Sequence, residues 1–233
     1  MKHPKIPSCT ECFLNSANMF KTLSPEQLAL LNYEKSCQTF RRGDIIYREG
    51  NKASGCYCIN SGIIKIFKTG VEGKEQIIMF AQRGDIIGYR SVISNEPFCT
   101  TARVHEDASL CFIPAEVLLD LIQQNHDFSM ALLKLACKEL GEANSFLTDI
   151  AQRSVKERLA EVLLLLRKTF GTDAEGFIKL ILTREELANI VGTATESVIR
   201  QLSEFKLGKL IEIRGRRIKV LQPQRLERYA NTL

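Results

Sequence analysis

Only three histidines, His3, His105 and His126, occur in 233 residues, and no two of them form a His-x-His pair. That scarcity excludes a metal-dependent enzyme built on clustered His and carboxylate ligands, and nothing selects one of the three as a haem ligand. No stretch approaches the ~20 apolar residues needed to span a bilayer. The N-terminus also lacks the apolar core of a signal peptide. The expected compartment is the cytoplasm, with no membrane partner. Without an export signal, the eight cysteines (Cys9, Cys12, Cys37, Cys56, Cys58, Cys99, Cys111, Cys137) are expected as thiols rather than a disulfide framework. Cys99, Cys111 and Cys137 read as small core residues. An apolar content of 45% excludes a disordered chain and suffices for one large or two modest cores.

The positive charge is unevenly placed. Residues 152–233 carry 16 Lys and Arg against 10 Asp and Glu, a net of +6, whereas residues 1–151 carry 16 against 17. A basic C-terminal part suits a polyanionic partner, with a merely solvated basic face as the alternative. Within it, Thr183 to Val220 has the pattern of a helix-turn-helix followed by a basic hairpin. Thr183-Arg-Glu-Glu186 is a capping box that opens a helix with Leu187, Ile190 and Val191 on its apolar face. Ala188 allows close helix approach, Gly192 permits the turn, and Val198 anchors a second helix over about Ala194–Leu207. That helix buries Val198, Leu202 and Phe205 and turns Thr195, Glu196, Ile199, Arg200 and Ser203 outward.

An exposed arginine can bond bidentately to guanine O6 and N7, and a glutamate can accept from cytosine N4. The candidate DNA contacts are therefore Thr195, Glu196, Ser197 and Arg200. Arg214, Arg216, Arg217 and Lys219, on strands around Gly215, are placed to meet phosphates. Two local alternatives compete: Thr193-Ala-Thr-Glu196 is itself a capping box, and Glu196 and Arg200 have the spacing of an i, i+4 ion pair.

Upstream, residues 1–24 form a Cys-containing arm, and Ser24-Pro-Glu-Gln27 starts a short helix. Between Cys37 and Ile113, short strand-like runs, among them Gly55–Ile59, Ile63–Phe67, Thr101–His105 and Leu110–Ile113, alternate with turn signals at Arg42-Gly-Asp44, Ser61-Gly62, Gly70-Val-Glu-Gly73 and Arg83-Gly-Asp85, which indicates a β-sandwich or jelly roll over residues 25–125. Residues 126–152 then become helical: Leu133, Ala136, Leu140, Ala143, Leu147 and Ile150 recur at the 3.5-residue interval of a coiled-coil seam, which argues for a homodimer, with a helix buried only within its own subunit as the alternative. Ser154-Val-Lys-Glu157 opens the C-terminal part, residues 153–233. The fold class is α+β: a β-roll (double-stranded β-helix), a long dimerisation helix and a C-terminal winged helix-turn-helix.

This order of parts, together with Arg83-Gly-Asp-Ile-Ile-Gly88, Leu110-Cys-Phe-Ile-Pro114, Val155-Lys-Glu-Arg-Leu-Ala160 and Thr195-Glu-Ser-Val-Ile-Arg200, resembles the Crp/Fnr family of transcription regulators, nearer its Fnr-like branch. The resemblance implies a sequence-specific DNA-binding homodimer, not an enzyme, with RNA polymerase as a further partner. Glu196 and Arg200 match that family's base-reading pair, while Ile199 stands where the oxygen-responsive branch commonly has serine. For the sensor the resemblance implies a cyclic-nucleotide-binding-like roll. Tyr89, however, replaces the glutamate expected to hold a ribose, and Phe98 or Cys99 replaces the arginine expected to pair with the cyclic phosphate, so cyclic AMP is not the expected effector. Arg90 or Arg103 could substitute, which keeps a cyclic-nucleotide module as one alternative. The other is an iron-sulfur, redox or nitric-oxide sensor in which Cys9, Cys12 and Cys111 match three ligand positions and a fourth cysteine, such as Cys37, completes the set.

Overall fold

The structure is a computed structural model that describes residues 19–70 and 73–230. The chain divides into two compact units, residues 1–140 and 141–233. In the first, a 3-10 turn at Met19–Thr22 leads into helix α1 (Pro25–Glu34), whose N-terminus is closed by the reciprocal Ser24–Gln27 capping box and by Pro25 in its first turn. The strands β1 (Ser36–Phe40), β2 (Ile45–Tyr47), β3 (Gly55–Thr69), β4 (Glu75–Ala81), β5 (Ile86–Ile87) and β6 (Thr101–Pro114) follow, with helix α2 (Tyr89–Ser94) before the last. They make one antiparallel sheet in the order β1-β6-β3-β4, with β2 added to β6 and β5 to β3.

Sequence patterning divides the long strands where the structure does not. Gly55–Ile59 and Ile63–Phe67 are two halves of β3, and Thr101–His105 and Leu110–Ile113 two halves of β6, paired along their length with register shifts between Ile59 and Ile64. The Ser61-Gly62 turn signal marks this bend. Gly62 takes φ +88°, and a Cβ there would lie 2.4 Å from the Asp107 carbonyl oxygen. A bulge that bends two paired strands together lets one sheet curl over itself. Ser36–Phe40, which carries no strong alternation, becomes a strand by pairing with Phe112–Ala108.

The curled sheet buries two clusters. Inside the roll lie Tyr47, Ile59, Ile64, Ile66, Ile87, Phe98, Ala102, Val104 and Leu110. A second cluster joins Cys56, Cys58, Cys111 and Ile113 to Phe20, Leu31, Leu118, Leu121, Phe128 and Leu132. It is closed by α1, α3 (Ala115–Gln124) and the start of α4 (His126–Gln152). Beyond Leu132 most of the apolar stripe of α4 is open: Leu133, Leu140, Leu147 and Ile150 are 56, 62, 65 and 41% exposed, while Ala136 packs against the second cluster.

One pair of cysteines departs from the expected thiols. Cys37 and Cys111 are joined as a disulfide across β1 and β6, because the register sets them directly opposite one another with Cα atoms 4.0 Å apart. Lack of an export signal argues about the compartment, whereas the pairing follows from strand register across 74 residues. Cys99 and Cys137 are exposed thiols rather than core residues, while Cys56 and Cys58 are buried. Cys9 and Cys12 lie outside the described residues.

Candidate nucleic-acid interface

The second unit is organised by α5 (Val155–Phe170), α6 (Arg184–Val191), α7 (Thr195–Leu207), the hairpin strands β7 (Ile211–Arg214) and β8 (Arg217–Val220), and α8 (Pro223–Ala230). Ser154–Glu157 and Thr183–Glu186 form the capping boxes that start α5 and α6. Helix α6 ends at Gly192, whose φ of +71° is the left-handed stop that favours glycine. Leu187, Ala188, Val191, Val198, Leu202 and Phe205 pack inside.

This burial fixes the rotation of α7. With Val198, Leu202 and Phe205 inward, Glu196, Ile199, Arg200 and Ser203 are exposed on its outer side, and Thr195 and Ser197 are half-buried near its first turn. Both local alternatives for Glu196 are absent. The N-cap of α7 is Ala194 and makes no side-chain cap bond, and among the described residues no ion pair links Glu196 to Arg200. A carboxylate and a guanidinium therefore stand free, one helical turn apart, on the same face.

The hairpin is less open than its composition suggests. Arg214, Arg217 and Lys219 surround the Phe177 ring at 5.0, 4.4 and 5.9 Å from its centroid. Arg217 pairs with Asp173 at 2.7 Å and Glu175 at 2.9 Å, and Arg214 with Glu175 at 2.8 Å and Glu212 at 2.7 Å. The arginine charges hold the carboxyls of Asp173 and Glu175 below the usual range, chiefly through hydrogen bonds from Arg217. Of the four basic residues expected at phosphates, Arg216, beside Gly215 at the tip, is the one with no side-chain partner among the described residues.

Two arginines not expected from the pattern hold this unit. Arg158, 9% exposed, donates Nε to the Val191 carbonyl at 3.0 Å and Nη1 to that of Arg153 at 2.7 Å. Longer contacts reach Asp149, Ile150 and Gly192. It thus answers the unpaired carbonyls at the C-terminal ends of both α4 and α6. Its one sequence signal is position: it precedes Leu159 on the inward stripe Leu159, Leu163, Leu166. Arg184, at the start of α6, donates to the Gly215 carbonyl at 3.0 Å and braces the hairpin tip.

In the first unit, the region expected to hold an effector is filled. Phe98 stacks on Tyr47 with centroids 4.0 Å apart, and Tyr89 is buried. Burial, reinforced by the nearby Glu139 carboxylate, drives the Tyr89 phenol well above its ordinary pKa. The space left among Tyr47, Ile66, Ile86, Gly88, Tyr89 and Phe98 is about 30 Å³, well below the ~300 Å³ at which small-molecule sites begin. Arg90 pairs with Glu139 at 3.3 Å and Arg103 with Glu75 at 2.7 Å. His105 is buried with its ring edge-on to Phe80, His126 is exposed, and His3 lies outside the described residues. Among the described residues no three His, Cys, Asp or Glu side chains form a metal-sized group. Of the described cysteines gathered in the second apolar cluster, Cys37 and Cys111 are bonded to each other and Cys56 and Cys58 are buried thiols on β3. With no such group formed among the described residues, these cysteines do not by themselves fit an iron-sulfur cluster.

A roll followed by a winged helix-turn-helix with a free Glu–Arg pair on its second helix defines a DNA-binding transcription regulator. Residues 37–125 match the family model for the cyclic nucleotide-binding domain and residues 157–229 that for the Crp-like helix-turn-helix domain. The chain belongs to the Crp/Fnr family of transcription regulators. It is 28% identical over 222 residues to the transcriptional activator protein Anr of Pseudomonas protegens, covering 94% of this chain and 90% of that protein. To the CRP-like cAMP-activated global transcriptional regulator of Mycobacterium tuberculosis it is 27% identical over 219 residues, covering 93% and 98%. The structure of FixK2 from Bradyrhizobium japonicum shares the fold with a TM-score of 0.74 at 22% identity, over 84% of this chain and 96% of that one. These relatives are regulators, not enzymes, and no described helix is long and apolar enough to cross a membrane.

Proposed function

We propose that the chain is a homodimeric, sequence-specific regulator that reads a pseudo-palindromic operator with α7 in the major groove. The observation that carries this reading is the free Glu196–Arg200 pair on the outer face of α7. Arg200 bonds guanine O6 and N7, Glu196 accepts from cytosine N4, Thr195 and Ser197 meet the backbone near the helix N-terminus, and Arg216 takes a phosphate. The stripe Leu133, Ala136, Leu140, Ala143, Leu147 and Ile150 of α4, exposed except at the half-buried Ala136, supplies the dimer seam. It sets half-sites about 34–36 Å apart. RNA polymerase is the further partner that family membership suggests, and the cytoplasm the compartment. Selection of binding sites from random duplexes tests the reading. The wild type should enrich a two-fold symmetric site, and Arg200→Ala should lose at least about 1–3 kcal/mol of discrimination per half-site. Equal preference in wild type and variant refutes the assignment.

The effector is not cyclic AMP in this reading, because the roll interior is occupied by Phe98 and Tyr47 and both neighbouring arginines are already paired. A second reading makes the sensor redox-responsive, favoured by the direct opposition of Cys37 and Cys111. Cys37 is then the additional cysteine beside Cys111, with Cys9 and Cys12 in the arm. Burial pushes the Cys56 thiol up to about 12 and keeps it out of this chemistry. Operator affinity that is identical before and after dithiol reduction, with the Cys37–Cys111 bond shown by mass spectrometry to open, refutes it.

A further inference from the structure

The segment Asp173–Ile178 is built as a tight acidic turn against the hairpin. Asp173 Oδ1 accepts from the backbone N–H of Glu175 and of Phe177 at 3.0 and 2.9 Å. The Ile178 N–H donates to the Ile218 carbonyl at 2.9 Å, which fastens the turn along β8. Held in this way, the remaining Asp173 oxygen and the Glu175 carboxylate face Arg217 and Arg214, the Glu175 carbonyl accepts from Lys219 Nζ at 2.8 Å, and Phe177 offers its ring to all three cations. An isolated exposed ion pair holds weakly. Here Arg217 meets two carboxylates and an aromatic face at once, so a phosphate must displace several partners to recruit it.

We infer that Asp173 and Glu175 act as an internal counter-anion that keeps Arg214 and Arg217 off the DNA backbone, leaves Arg216 as the phosphate-binding cation of the hairpin, and so limits sequence-independent affinity. The inference rests on the DNA-binding reading above and adds a determinant to it. Phosphate contacts raise affinity for any duplex, whereas base contacts alone distinguish an operator. Neutralising two wing cations lowers the background against which Arg200 and Glu196 select.

The test is binding of the full chain to a random-sequence duplex by fluorescence anisotropy between 50 and 200 mM salt. The variants are wild type, Asp173→Asn/Glu175→Gln, Glu175→Gln alone, Arg214→Gln and Arg216→Gln. Asparagine keeps an Oδ1 acceptor for the turn, and Glu175→Gln leaves that turn untouched should the double variant misfold. The double variant frees Arg217 and leaves Arg214 with Glu212 alone, so binding should tighten and the log–log salt slope should steepen by about 0.9–1.8 per subunit. That change corresponds to roughly 3- to 12-fold more affinity lost across the range. Arg216→Gln should flatten the wild-type slope by about 0.9, and Arg214→Gln should leave it unchanged. Unchanged or weaker binding by both charge-neutralised variants, or an Arg214→Gln effect equal to that of Arg216→Gln, overturns the inference while the DNA-binding reading stands. A wild type without affinity for any duplex overturns both.

Discussion

Replacing Arg158 by methionine keeps the length and packing of the side chain but removes the guanidinium that joins two helix ends. The loss falls mainly on two well-made bonds, to Val191 at 3.0 Å and Arg153 at 2.7 Å. Hydrogen bonds to a charged group contribute about 1.5–3 kcal/mol each, and the contacts at 3.3–3.4 Å add little. Removing a buried charge returns part of this, since desolvation already pulls the Arg158 pKa down. A net loss of about 3 kcal/mol remains, over 100-fold in the folding equilibrium of the second unit. The sequence contains no tryptophan, so urea unfolding is followed by far-ultraviolet circular dichroism. The midpoint should fall by about 1–3 M at ordinary m values. Arg158→Lys, with one point charge and no fork, should lie between variant and wild type. An Arg158→Met midpoint within about 0.3 M of wild type, at m values where 1 kcal/mol is roughly 0.5 M, refutes the clamp, because the carbonyls of α4 and α6 must then be satisfied without it.

Leu140→Glu with Leu147→Glu places charges at two of the most exposed positions of the α4 stripe. Sedimentation should then give a monomer at micromolar concentration, and a persistent dimer would show that the seam lies elsewhere. Glu75 provides a pH prediction. Burial opposes its ionised form, but hydrogen bonds and charge from Lys65 and Arg103 outweigh burial and hold the carboxyl below its ordinary 4.5. A depressed folded-state pKa stabilises the fold above the unfolded value and loses that contribution as pH falls through the folded one. Stability of the first unit should therefore decline below about pH 4.5, and Glu75→Gln should flatten the decline in acid titrations. Parallel titrations of wild type and variant would contradict it.

The helix-turn-helix could be read from the chain because its determinants are local. Capping boxes at Thr183 and Ser154, the glycine stop at residue 192 and the spacing of Val198, Leu202 and Phe205 each act within a few residues, and together they set the outward face that carries Glu196 and Arg200. The exposed stripe of α4 follows from helical period in the same way. What the sequence by itself determined was thus the helices, their faces and the order of the parts.

Tertiary structure decided everything that depends on residues meeting across long stretches of chain. Strand register brings Cys37 to Cys111. The bend at Gly62 merges four short runs into two long strands. Arg158 reaches the ends of two helices, and an acidic turn some 40 residues upstream takes up two arginines that composition alone would offer to DNA. Local periodicity states which side of an element is apolar. It cannot state which distant groups satisfy the charges left on the other side, since that depends on packing geometry that no short window of sequence contains.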